Sequence, residues 1–295
     1  MQPELILDAR ADLGEGPVWD AGRGLLYWVD IRLGHLHIHD PKNRTNDQIS
    51  VGEALGCVAG CKSGDLVLAL RSGLVSFDLA TRTQTSLVNP EVHLPGNRFN
   101  DGKCDPAGRF LVGTMDEAEK EASGSFYSFA PDGTWKTLLS GTRISNGLTW
   151  SPDFRTFYYI DTPTRQVTAY DYDLAAGTIA DPRPVVSVPE ELGWPDGMTS
   201  DREGMLWVAM WGGSKITRWD PATGELMEAI PVPALNVTSC IFGGPDLNDL
   251  YITSARKGMS EPELEKYPLS GGLFRLRTKV VGMPCFIFGG RANGA

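Results

Sequence analysis

The sequence has little helical periodicity and no long apolar segment. Apolar side chains seldom recur at helical spacing across its 295 residues, and no run approaches the roughly 18 apolar residues needed to cross a bilayer. The first ten residues, MQPELILDAR, lack the basic and apolar regions of a secretory signal. We therefore expect a cytoplasmic protein without a membrane partner. The single helical candidate is 259–267, where Ser260 could be the N-cap and Pro262 could occupy the first turn.

Paired cysteines, histidines and excess positive charge are also scarce. The five cysteines form no C-x-x-C pair, so we expect reduced structural thiols rather than a zinc or redox site. His35, His37 and His39 alternate along one strand; such a stripe could bind a metal, but it is more typical of a solvated strand face. The net charge of −10 repels phosphate backbones and argues against a nucleic-acid partner.

A repeat of short strands runs through the chain. Six anchor residues each precede an apolar, often aromatic strand, at successive spacings of 42, 43, 46, 50 and 43 residues: Glu15, Cys57, Asn100, Asn146, Asp196 and Ser239. Turn signals such as PDGT and DREG separate the strands. A repeat of this length is typical of a β-propeller blade. The sequence predicts an all-β, six-bladed β-propeller of four-stranded antiparallel blades, forming a single domain over residues 1–295.

The two ends of the chain are predicted to meet in the last blade. Residues 251–255 and 271–277 are expected strands of that blade, and residues 285–290 are a further candidate. Residues 5–14, LILDARADLG, are also strand-like. An N-terminal strand that completes the last blade would close the ring and remove exposed sheet edges.

A closed ring places equivalent anchors around one axis. Glu15 and Asp196 supply carboxylates, and Asn100 and Asn146 supply amide oxygens, a set that suits Ca²⁺, Mg²⁺ or Mn²⁺. The alternative is that the Asn-Gly and Asp-Gly dipeptides at 101–102, 146–147 and 196–197 are only hairpin turns. Their common position before the innermost strand favours the metal site. Four apolar residues near the predicted mouth either form a rim or pack in the core: Phe99, Met115, Trp194 and Trp211.

Five longer motifs resemble the SMP-30/gluconolactonase/regucalcin family. LGEGPVWD, RFNDGKCDPAGRFLVGTM, SNGLTWSPDFRTFYYIDT, DGMTSDREGMLWVAMWGG and CIFGGPDLNDLYITSARKGM occur in family order within residues 8–277. The resemblance implies a six-bladed propeller that holds one divalent cation (Ca²⁺, Mn²⁺, Zn²⁺ or Mg²⁺). It also implies an enzyme that hydrolyses a sugar lactone to an aldonic acid. It places metal-binding residues at Glu15, Asn146 and Asp196, with Asp196 also catalytic. It places substrate-binding residues at Arg98 and Asn100.

One position departs from the family's pattern, and several alternatives stay open. Some members have a substrate-binding Glu three residues after the Met of GTM, where this chain has Ala118. Asp196 either accepts a proton from the attacking water or serves only as a metal ligand. A non-catalytic calcium-binding regulator and a phosphotriesterase or aryl-esterase are the alternative functions. We expect a monomer or weak homo-oligomer whose partner is a small-molecule sugar lactone.

Overall fold

The chain folds into six antiparallel sheets of four strands each, which confirms the predicted six-bladed β-propeller. The computed structural model describes residues 2–290. In the first five blades the strands that follow one another in sequence are also neighbours in the sheet, whereas the last blade combines the N-terminal strand with three C-terminal strands. No helix in this described part of the chain is long and apolar enough to span a membrane.

The strands are numbered in chain order, and β1 (Glu4–Leu7) belongs to the last blade. Blades one to three contain β2 (Gly14–Asp20), β3 (Leu25–Asp30), β4 (His35–Asp40), β5 (Thr45–Ser50), β6 (Leu55–Gly60), β7 (Leu66–Leu70), β8 (Gly73–Phe77), β9 (Gln84–Val88), β10 (Asn97–Cys104), β11 (Phe110–Asp116), β12 (Gly124–Phe129) and β13 (Trp135–Thr142). Blades four to six contain β14 (Ser145–Trp150), β15 (Thr156–Asp161), β16 (Gln166–Asp173), β17 (Thr178–Ser187), β18 (Trp194–Ser200), β19 (Leu206–Trp211), β20 (Lys215–Asp220), β21 (Glu225–Pro231), β22 (Asn236–Gly243), β23 (Asp249–Ala255) and β24 (Leu273–Arg277).

Burial falls from the inside of each blade to the outside. Every residue of the innermost strands β6, β14 and β22 is buried, whereas most of the outermost strands β9 and β21 is exposed. Apolar side chains of adjacent blades pack into shared clusters. Since burying one such side chain contributes about 1.5–3 kcal/mol, contacts between blades are a main source of stability.

The N-terminal strand closes the ring, as the sequence predicts. Strand β1 pairs antiparallel with β24, with Leu5 opposite Phe274, and it occupies the outer edge of the last blade. The prediction of a strand at residues 285–290 in that blade is wrong, because β1 already holds the edge. Instead this segment crosses to blade two, where the Phe288 N–H donates to the Gly60 carbonyl at 2.7 Å.

The short helix is confirmed and the interpretation of the histidine stripe is corrected. Helix α1 (Glu261–Lys266) begins with a capping box in which the Ser260 N–H donates to Glu263 Oε2 at 2.8 Å. His37 and His39 are buried rather than solvated. The His37 ring stacks on Trp28 with 3.8 Å between centroids, and burial lowers the pKa of His37 to about 4. All five cysteine side chains are free.

Candidate metal centre and active site

Each of the six innermost strands is irregular at its anchor. Shifts in strand register fall between Glu15 and Val18, Leu55 and Cys57, Phe99 and Gly102, Asn146 and Leu148, Pro195 and Met198, and Val237 and Ser239. A β-bulge leaves a residue outside the regular ladder and turns its side chain in a new direction. The repeat in the sequence therefore marks a repeated bulge beside the axis of the propeller.

The glycines that follow the anchors are explained by close packing. The dipeptides at 101–102, 146–147 and 196–197 lie inside β10, β14 and β18, so the hairpin-turn alternative is wrong. A Cβ atom on Gly147 would lie 2.5 Å from the Asp196 carbonyl oxygen, and one on Gly197 would lie 2.1 Å from Ser239 Oγ. Only glycine allows the neighbouring inner strands to approach this closely.

Four of the six anchors and Arg98 line one cavity of about 440 Å³, a volume within the usual range for small-molecule sites. The five predicted site residues are Glu15, Arg98, Asn100, Asn146 and Asp196, and none is more than 6% exposed. The fold thus brings together every site residue predicted from the sequence. The other two anchors are buried, but they are not among the residues that line this cavity.

A chain of hydrogen bonds fixes the two asparagine side chains. Arg98 Nη1 donates to Asn100 Oδ1 at 2.7 Å, and Asn100 Nδ2 donates to Asn146 Oδ1 at 3.0 Å. Thr162 donates its only hydroxyl proton to the Pro195 carbonyl at 2.8 Å, so it accepts from Asn146 Nδ2 at 2.9 Å. These hydrogen bonds determine which atom of the Asn146 amide is the oxygen and which is the nitrogen. They also leave one lone pair of Oδ1 available to a ligand. Sequence reasoning missed Thr162.

Two buried carboxylates share the base of the site. Glu15 and Asp196 lie close enough for the charge of each to act on the other, and Glu15 Oε2 accepts the Gly16 N–H at 2.7 Å. Burial, followed by the charge of Asp101, raises the pKa of Glu15 to about 8. Burial, followed by the charges of Glu15 and Asp101, raises the pKa of Asp196 well above its usual range.

Asp101 is a third buried carboxylate beside this pair. Its Oδ1 accepts the Gly102 N–H at 2.7 Å, but its buried Oδ2 has no hydrogen-bond partner. Burial raises the pKa of Asp101, and the charge of Lys103 opposes that rise. Sequence reasoning noticed Asp101 only as half of an Asp-Gly dipeptide. Its position one residue after the Asn100 anchor was the available signal.

The donor set fits a divalent cation. The buried like charges of Glu15 and Asp196 are costly, and a cation beside them would offset that cost. Residues 2–290 contain no group of three or more His, Cys, Asp or Glu side chains placed to hold a metal, so a site here depends on the amide oxygen of Asn146. Carboxylate and amide oxygens are the ligands of hard cations such as Ca²⁺ and Mg²⁺.

Apolar side chains form part of the cavity wall. Met115, Trp194 and Trp211 line it, whereas Phe99 packs in a core cluster. Trp194 is 41% exposed, and the Arg165 guanidinium carbon lies 3.7 Å from the centroid of its ring. Three of the four candidate rim residues therefore face the cavity.

The loop after β11 supplies a carboxylate one residue later than the family pattern. Glu119, not Ala118, lines the cavity. Glu119 has a positive φ of 59°, within a turn in which Asp116 Oδ2 accepts the Lys120 N–H at 2.9 Å. The Glu119 carboxylate forms an ion pair with Lys257, a cavity-lining residue that follows β23. The loop therefore contacts the opposite wall of the cavity.

Comparison with known proteins agrees with this architecture. The family model described as SMP-30/Gluconolactonase/LRE-like region matches residues 13–256. The chain belongs to this family. A Bacillus subtilis (strain 168) member, YvrE, whose name assigns it provisionally to the sugar lactone lactonases, is 38% identical over 98% of this chain and 99% of its own.

Other family members carry different names. Regucalcin of Xenopus laevis is 38% identical over 92% of this chain and 93% of its own. A solved structure from Agrobacterium tumefaciens, titled as the calcium-binding protein regucalcin, superposes with a TM-score of 0.93. It is 28% identical and the match covers 98% of this chain and 97% of that chain. Relatives of nearly the same length thus include proteins named for lactone hydrolysis and for calcium binding.

Proposed function

We propose that this family member hydrolyses a sugar lactone to an aldonic acid, with one divalent cation held by Glu15, Asn146 and Asp196. The observation that carries the proposal is the buried Glu15–Asp196 pair at the base of a sugar-sized cavity. The lactonase name of YvrE supports the reaction, and the calcium-binding title of the Agrobacterium structure supports the cation. Ca²⁺, Mn²⁺, Zn²⁺ and Mg²⁺ are the candidate cations.

A lactone is a cyclic ester, and its hydrolysis develops negative charge on the carbonyl oxygen. When bound, a divalent cation supplies Lewis-acid stabilisation of that charge. Asp196 lies at the base of the cavity, where its carboxylate would accept a proton from the attacking water. A nearby cation lowers the pKa of a carboxylate and so makes it a weaker base. In the alternative, Asp196 therefore acts only as a metal ligand and does not accept the proton.

Arg98 and Asn100 are the proposed substrate-binding residues. Within the described residues the hydrogen bonds of Arg98 involve only Nη1, which leaves its other donors for sugar hydroxyls. Because Asn100 fixes this guanidinium through Oδ1, little side-chain freedom is lost when substrate binds. The tryptophans of the cavity wall would limit the access of bulk water to the ester.

Replacement of Asp196 by Asn tests the proposal. Turnover of glucono-, xylono-, arabinono- and galactono-lactones should fall at least about 100-fold, measured by pH-stat, because a carboxylate becomes a neutral amide. Asp132→Asn, at an exposed turn, is the matched control. Chelation should silence the wild type, and added Mn²⁺, Ca²⁺ or Zn²⁺ should restore it. Wild-type rates in Asp196→Asn, or full activity in excess chelator, would contradict the proposal.

Calcium binding without turnover is the second candidate, because several relatives are named regucalcin. It predicts heat of Ca²⁺ binding in calorimetry together with no hydrolysis of any lactone in the panel. Paraoxon-like esters in the same panel test the esterase alternative. If the protein hydrolyses these esters but no lactone, the esterase function would replace the proposed lactonase function.

A further inference from the structure

The wall of the cavity above the carboxylate pair has a surplus of positive charge. Apart from Glu15 and Asp196, its charged lining residues are Arg98, Arg143, Lys257 and Glu119. The whole lining has three basic and three acidic residues, and a divalent cation that offsets Glu15 and Asp196 would leave three positive charges against one negative charge, a surplus of two. This surplus contrasts with the net charge of −10 of the chain, so it is a local feature of the cavity.

The two arginines contribute charge that no protein carboxylate neutralises directly. Arg98 is 5% exposed, and its guanidinium donates to two neutral oxygens, the Phe99 carbonyl at 2.9 Å and Asn100 Oδ1 at 2.7 Å. The Arg143 guanidinium donates to the Lys120 carbonyl at 3.3 Å. Within residues 2–290 neither guanidinium forms an ion pair, whereas Lys257 is paired with Glu119.

Burial costs the Arg98 guanidinium its hydration, and although the charges of Glu117, Glu119 and Glu15 act on it from a distance, no carboxylate is in contact with it to replace that hydration. An anionic ligand would supply that contact, and its two or three oxygens match the planar donor pattern of arginine. Arg98 lies deep in the cavity and Arg143 is exposed, so the two could bind different oxygens of one substrate.

We propose that the cavity prefers sugar lactones that carry a carboxylate or phosphate away from the ring ester over neutral lactones of the same sugar. This inference rests on the proposed lactonase function and adds the charge of the substrate to it. A cavity of about 440 Å³ lies within the range for ligands larger than a small monosaccharide, so it can admit the additional group.

The first test compares kcat/KM for gluconolactone, the monolactone of glucaric acid and the lactone of phosphogluconate. With the metal-loaded enzyme at low salt, we expect at least one anionic lactone to exceed gluconolactone by about tenfold. The two anionic substrates distinguish the carboxylate from the phosphate. Added salt should reduce the preference, because it screens the attraction. Equal values for all three lactones would overturn the inference while leaving the lactonase function intact.

Two single-charge variants should shift this preference in opposite directions. Arg143→Gln should lower the ratio of anionic to neutral kcat/KM, and Glu119→Gln should raise it, each by about threefold to tenfold. Arg183→Gln is the matched control, because that arginine is paired with Asp171 at 2.7 Å on outer strands of blade four. A structural disturbance would not produce opposite signs. An unchanged ratio in Arg143→Gln would refute the assignment.

Direct binding separates this inference from the lactonase proposal. If no lactone is hydrolysed, calorimetry with glucarate and gluconate on the metal-loaded protein still measures the charge preference. Tighter binding of the dianion, weakened in Arg143→Gln, would support the inference. Equal affinities would overturn it.

Discussion

Replacing Glu15 by Gln should stabilise the metal-free protein at alkaline pH and abolish its response to metal. Glu15 is buried against Asp196 and beside Asp101, so its charge is unfavourable unless a cation is present. Glutamine has almost the same size, and its amide oxygen can still accept the Gly16 N–H. The substitution therefore removes the charge with little change in packing.

The magnitude follows from the raised pKa of Glu15. Its value is about 8, against an ordinary value of 4.5, so the folded state binds this proton more tightly than the unfolded state does. The resulting stability is fully present below pH 4.5 and is lost as the pH rises through about 8. At about 1.36 kcal/mol for each pKa unit, the loss is on the order of 5 kcal/mol, part of which belongs to the coupled Asp196.

The assay is calorimetric unfolding in chelator and in saturating Ca²⁺ or Mn²⁺. In chelator at mildly alkaline pH, Glu15→Gln should raise the midpoint by about 5–10 °C, with a smaller gain at mildly acidic pH. Metal at about 100 times its Kd should stabilise the wild type by about 2.7 kcal/mol and leave the variant unchanged. Glu225→Gln, on the exposed strand β21, should behave like the wild type. A lower midpoint for Glu15→Gln in chelator, or an unchanged response to metal, would refute the reasoning.

Three further predictions concern the ring and the site. Deleting residues 1–10 should lower the melting midpoint by more than about 5 °C, because β1 completes the last blade; an unchanged midpoint would contradict its closing role. Arg98→Ala should lower kcat/KM by about tenfold or more and change metal affinity less than about twofold, and the reverse pattern in kinetics and calorimetry would make Arg98 structural. Gly147→Ala should cost about 1–3 kcal/mol and weaken metal binding, because its Cβ would lie 2.5 Å from the Asp196 carbonyl oxygen; wild-type metal affinity in a titration would show that β14 and β18 can separate.

The propeller could be predicted from the sequence because its repeat is local. Each anchor, bulge and following strand lies within one blade, so the spacing of the anchors reports the architecture directly. The course of residues 285–290 could not be predicted, since a short apolar segment is compatible with a strand or with an irregular cover. Residues 285–290 do not join the last blade because β1, nearly three hundred residues away in sequence, occupies its available edge.

Side-chain environments depended on partners that the sequence pattern does not reveal. The period-two spacing of the three histidines in the sequence predicted that they share one face of β4. The environment of His37, however, is determined by Trp28 and Asn46, which lie on the strands on either side. In the site, the anchors were predicted because the repeat identified them. Thr162 was missed because its role depends on Pro195, a residue of the next blade.

The repeat also explains how a nearly symmetric ring can hold an asymmetric site. Thr238 Oγ1 donates to the Gly14 carbonyl at 2.6 Å, which places the last blade beside the first. The anchor of the last blade, Ser239, therefore comes between Asp196 of blade five and Glu15 of blade one around the ring, yet the charges of these two carboxylates act on each other. Ser239 is the smallest of the six anchors and is buried against Gly197, so the position between the two acids holds no charged side chain.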